Sequence, residues 1–87
     1  MELKLEKQPR KYLASVDENT RKKLYKALDR LSWLEGNIVP IEGKKNLYRY
    51  KIQHYRIVFE RIKGEIVIRV IEINTRTNIK ILREVIL

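Results

Sequence analysis

Residues 47–73 constrain this chain more than any other stretch. β-Branched and aromatic residues recur throughout them among charged ones, in runs separated by Gln53-His54 and Lys63-Gly64. Such residues suit a pleated, half-buried surface, and polar two-residue interruptions are what antiparallel hairpins require. Three antiparallel strands are therefore expected, over 47–52, 55–62 and 65–73. The last reads Glu-Ile-Val-Ile-Arg-Val-Ile-Glu-Ile, nearly continuously apolar, as in a central strand covered on most of both faces.

The rest of the chain must supply that cover. Residues 2–6 alternate charged and apolar side chains with period two and read as a half-buried strand. Pro9 suits a first helical turn, and Tyr12, Leu13 and Val16 follow at helical spacing, so a short helix is expected over 8–15. Asp17 is a good N-cap for a second helix, with Val16 placed to staple against it. Along this helix Leu24, Ala27, Leu28, Leu31 and Leu34 form an apolar stripe opposite Lys22, Lys26, Asp29 and Arg30. Gly36-Asn37 and then Pro40 stop it near Glu35. Residues 38–46 lack a period and contain Pro40 and Gly43, which reads as a loop. After the strands, 74–78 is a polar turn carrying Arg76; in 79–87 Ile79, Leu82 and Ile86 fit one face of a final helix, which is the reading taken, while Ile79, Ile81 and Val85 would equally serve a strand. The expectation is one α+β domain over 1–87, ordered β-α-α-β-β-β, with an N-terminal strand, two helices, an antiparallel β-meander and a short C-terminal element. With no cysteine in the sequence, its stability must come from apolar packing.

No apolar run approaches the roughly 18 residues a membrane span needs. Glu2, Lys4, Glu6 and Lys7 leave no apolar stretch for a secretory signal, so a cytosolic location is expected. The net charge is +9, and its distribution is uneven: between Lys44 and Lys63 seven bases face the single acid Glu60, which puts +6 in that stretch. A polyanion is the natural partner. Anionic membrane fits less well, because these bases fall on strands rather than on an amphipathic helix. One histidine, no cysteine and scattered acids make no transition-metal site. Ser15 and Ser32 lie in expected helices, without the strand-turn-helix setting of a nucleophilic serine. The three glycines form no phosphate loop, and no cofactor is expected.

What remains is a basic and aromatic surface. Alternation puts Arg49 and Lys51 on one face of their strand and Tyr48, Tyr50 and Ile52 on the other. Arg56 on the next strand can reach the same side, and Arg76 leaves the end of the central strand. Pairing of these cations with Glu60 or Glu72 would give them a purely structural role; convergence without acids would suit a phosphate. In RNA strand cleavage the 2′-hydroxyl attacks the adjacent phosphorus and charge grows on the phosphoryl oxygens, which an arginine fork can hold in pairs. Lys51, set among arginines, is the candidate general base. Lys44 and Lys45 extend the basic surface, and Tyr48, Tyr50 and Tyr55 are candidates for stacking on bases, although tyrosines on strands are more often core or cross-strand partners. His54, with its imidazole, is the alternative candidate base but sits in a turn that a polar residue fills without a catalytic reason.

In its order of elements, and in Leu47-Tyr48-Arg49-Tyr50-Lys51-Ile52, the turn Gln53-His54, Tyr55-Arg56-Ile57-Val58-Phe59-Glu60, the aliphatic strand 65–73 and Arg76, the chain resembles the RelE/ParE toxin superfamily. Asp17 to Glu35 is similar to the family's long helix, and Ile41-Glu42-Gly43-Lys44-Lys45-Asn46-Leu47 to its approach to the sheet. The resemblance implies a RelE-like fold and a metal-independent endoribonuclease cutting messenger RNA on the ribosome. It also implies that Arg49, Lys51, Arg56 and Arg76 carry catalysis and that a RelB-like antitoxin wraps the domain and shields the cations. Two positions depart from the pattern. His54 replaces a glycine, and no histidine or tyrosine accompanies the final arginine: Thr75 precedes it, and Lys80 stands where the tyrosine often falls, as a candidate RNA-contacting group. The same superfamily includes ParE-like inhibitors of DNA gyrase, and a non-catalytic RNA- or ribosome-binding module is a further alternative.

Overall fold

In a computed structural model describing residues 1–81, the elements follow in the order β1 (Glu2–Leu5), α1 (Lys7–Ser15), α2 (Glu18–Ser32), β2 (Asn37–Pro40), β3 (Leu47–Ile52), β4 (Tyr55–Arg61) and β5 (Val67–Thr75). The strands make one sheet in the order β1-β5-β4-β3-β2. The meander β3-β4-β5 is antiparallel as expected, but β1 runs parallel to β5, so the sheet as a whole is mixed. Residues 38–40, expected to be loop, instead form β2 with Asn37 against β3, with Pro40 opposite Tyr48. Proline is tolerated there because β2 is an edge strand, where a backbone donor is dispensable. Of the element expected over 79–87, Ile79 is buried, Lys80 and Ile81 are helical, and residues 82–87 lie outside the described residues.

Both helices cover one face of the sheet. Leu13, Leu24, Leu28 and Leu31 pack there with Tyr50, Ile57, Phe59, Ile68, Val70 and Ile73. Asp17 caps α2 by accepting from the Thr20 N–H. The helix ends at Ser32, two residues before the end of its apolar stripe, because Leu34 takes a left-handed conformation (φ 56°). The Leu34 N–H then donates to the Leu31 carbonyl and the Glu35 N–H to that of Arg30, the paired bonds of a Schellman cap. Arg21 ties the two helices together, donating through Nε and Nη2 to the carbonyls of Leu13 and Val16 at the end of α1. Where β1 stops, the Gln8 side-chain amide takes over its role: it donates to the Ile73 carbonyl and accepts from the Ile73 N–H.

A β-bulge sets the phase of β5. Val58 pairs with Glu72 but Phe59 with Val70, which leaves Ile71 as an extra residue. Without it, residues 68, 70 and 72 would all face the helices. With it, Val70 and Ile73 both enter the main core, and Glu72 and Asn74 turn to the opposite face. A smaller apolar cluster of Ile41, Val58 and Ile79, flanked by Leu47 and Ile81, lies on that second face.

Candidate nucleic-acid interface

On the face away from the helices, the register sets two cross-strand rows: Arg49, Val58, Glu72, and Lys51, Arg56, Asn74. Arg49 and Lys51 are two residues apart, about 7 Å along the strand. Arg56 is the buried member, only 8% exposed, and its Nη1 donates to the carbonyls of Gln53 and Tyr55, both at 2.9 Å. The hairpin turn thus fixes its guanidinium. Burial first, and then the charges of Arg49 and Arg76, pull its pKa below the ordinary arginine value. Three arginines therefore share one electrostatic neighbourhood, and Lys51 stands directly across from Arg56.

Arg76 reaches this neighbourhood through the turn after β5. Its backbone N–H donates to the His54 carbonyl at 2.7 Å, which clips residues 76–78 to the β3–β4 turn. The side chain is exposed, as is that of Lys51. Arg49 is half-buried, and its Nε has no hydrogen-bond partner among the described residues.

Neither acid considered as a partner neutralises the group. Glu60 pairs with Arg69 at 3.7 Å. Glu72 is buried, and its two carboxylate oxygens accept from the backbone N–H groups of Lys80 and Ile81 at 2.8 and 3.0 Å. It is a cap that lays Ile79 over Val58. The sequence signal for this residue was an acid inside an otherwise aliphatic strand. Among the described residues, no ion pair involves Arg49, Lys51, Arg56 or Arg76.

The secondary candidates separate. Tyr50 is 2% exposed in the main core, and Tyr48 stacks on Phe59 with ring centroids 5.4 Å apart, so both rings belong to the helix-covered face and neither faces the cations. The expectation that they stack on bases is corrected accordingly. His54 is exposed, with its ring 4.1 Å from that of Tyr55; its carbonyl is the part that holds Arg76. Lys44 and Lys45 are exposed in the loop before β3, at the end of that strand opposite Lys51. Lys80 is exposed, with its backbone on Glu72. Among the described residues no group of three or more His, Asp or Glu side chains is placed to hold a metal.

No protein-family profile matches the chain, and no curated protein matches its sequence. Solved structures do match its fold. The isolated E. coli RelE toxin superposes with a TM-score of 0.73 at 19% identity, covering 98% of this chain and 94% of that one. The archaeal RelE–RelB complex from Pyrococcus horikoshii OT3 gives 0.72 at 21% identity over 90% and 97%. The intact E. coli RelBE toxin–antitoxin complex gives 0.68 at 23% identity over 85% and 94%.

Proposed function

On the premise that the chain has the fold of the RelE toxins, we propose that it is the single-domain toxin of a toxin–antitoxin pair, an endoribonuclease that cuts messenger RNA on the ribosome. The observation that carries this reading is the placement of Lys51 directly across from the buried Arg56, with Arg49 on the same face and Arg76 clipped to the same turn, without a compensating acid among the described residues. Mutual repulsion makes such a group unfavourable in the free protein, and a phosphate offsets it.

In the proposed reaction, the 2′-oxygen attacks the adjacent phosphorus, the bond from phosphorus to the 5′-oxygen breaks, and a cyclic phosphate and a 5′-hydroxyl are left. Arg56, held rigid by Gln53 and Tyr55, and Arg49 and Arg76 at its rim bind the phosphoryl oxygens as their charge grows. Lys51 accepts the proton of the 2′-hydroxyl, and Lys80 supplies one to the departing 5′-oxygen. No metal takes part. A RelB-like antitoxin with acidic and apolar residues covers the cations when the toxin is silent, in the cytosol; two of the structural neighbours are themselves complexes with RelB.

A translation reaction programmed with a defined messenger, with cuts mapped by primer extension, tests this reading. Cuts in the ribosomal A site that vanish in Arg76→Ala support it. An intact messenger together with gyrase-linked DNA breaks would assign the chain to ParE-like inhibition instead.

A further inference from the structure

Two large aromatic side chains stand in solvent on α2, on the opposite side of the sheet from the arginines: Tyr25 is 52% exposed and Trp33, at the helix end, 72%. They are not isolated. Tyr25, Asp29 and Trp33 recur every four residues, and so do Lys22, Lys26 and Arg30, which makes an aromatic row beside a cationic one along the outer face of the helix. Lys22, Tyr25, Lys26, Asp29 and Arg30 line an open groove between them. The cations follow at intervals of about 6 Å, and the two rings are about 12 Å apart along the helix axis.

We propose that this stripe is a second RNA-contacting surface, on which unpaired nucleotides stack against Trp33 and Tyr25 while Lys22, Lys26 and Arg30 hold their phosphates. Flat rings interleaved with cations are the equipment of sequence-tolerant single-strand binding. Along the groove three cations, Lys22, Lys26 and Arg30, face the single acid Asp29, which favours an anionic occupant, and their regular spacing suits a phosphate chain. The Lys22–Glu18 pair, 3.6 Å apart with both side chains more than 70% exposed, opens at little cost when a phosphate competes. Lys23 Nζ donates to Gln53 Oε1 at 2.9 Å, which joins the first half of α2 to the turn that holds Arg56 and Arg76. The inference concerns binding and does not require that the chain cut RNA.

Trp33 is the sole tryptophan of the sequence, so its fluorescence reports on this surface alone. A short 2′-O-methylated oligonucleotide, which has no free 2′-hydroxyl to attack, is titrated into the full chain. The expected result is saturable quenching that persists in Arg76→Ala. In Lys26→Ala/Arg30→Ala, binding weakens about tenfold, and the slope of log affinity against log salt falls by about 1.4, from the two cations removed. Trp33→Ala, followed by anisotropy of labelled oligonucleotide, weakens binding by about fivefold or more. Labelled RNA that binds without quenching Trp33, or no RNA binding at all, overturns the proposal. So does quenching by poly-glutamate at lower concentration than by RNA, which assigns the stripe to an acidic protein segment.

Discussion

Lys51 and Arg56 stand directly opposite each other across the β3–β4 ladder, two cations on one face where like charges oppose pairing of the strands. No acid among the described residues relieves them. If Lys51 is kept for chemistry rather than for the fold, Lys51→Met will melt no lower than the wild type while its cleavage rate falls by about 10² to 10⁴. Thermal melts and cleavage assays on the same preparation check both halves.

Glu72 is the buried acid of the same face, and both of its oxygens are committed to the N–H groups of Lys80 and Ile81. A glutamine there keeps one acceptor and puts two donors against a backbone donor. Glu72→Gln is expected to cost about 1–3 kcal/mol, because a buried N–H is left unpaired. In a domain of this size that lowers the melting temperature by about 4–8 °C for each kcal/mol lost.

Much of this could be read in the sequence. Period 3.6 from Leu24 to Leu31 and period two from Leu47 to Ile52 each name the buried face directly, and Asp17 caps α2 as its residue type suggests. The pairing of β1 with β5 joins residues some 65 apart in the chain, which local pattern does not encode. β2 escaped notice because four residues ending in Pro40 have the signature of a loop, and only the edge position makes them a strand. The arginine group was legible because alternation fixes direction. The tyrosines beside it were not assignable to stacking, since the same alternation points them into the core.

Gly36 shows how closely that core approaches the backbone. Its φ is 116°, and a Cβ there would run into the Tyr50 hydroxyl and lie 2.8 Å from two carbons of the ring. Gly36→Ala should destabilise by about 1–3 kcal/mol, as overpacking does. Pairing it with Tyr50→Phe removes the nearest atom and should recover part of that loss; a double-mutant cycle in denaturant measures the coupling.

Asp17 gives the fold a dependence on acid. The Thr20 hydroxyl, chiefly, and the Thr20 N–H hold its carboxyl below the ordinary carboxylate range. A folded pKa below the unfolded one gives a contribution that is complete above the unfolded pKa and lost as pH falls through the folded one. The gap in melting temperature between wild type and Asp17→Ala should thus be widest at neutral pH and close as pH drops beneath the usual carboxylate range. Melts across pH 7 to 3 would show it.

Arg76 carries the most weight, because its side chain is exposed while its backbone alone clips the turn, so truncation leaves the fold in place. The direct measurement is the single-turnover cleavage rate of ribosome-bound messenger by wild type and Arg76→Ala at saturating toxin. Loss of one preorganised donor to the growing phosphoryl charge gives a fall of about 10² to 10³. An unchanged rate would contradict the assignment of this arginine group to phosphate chemistry.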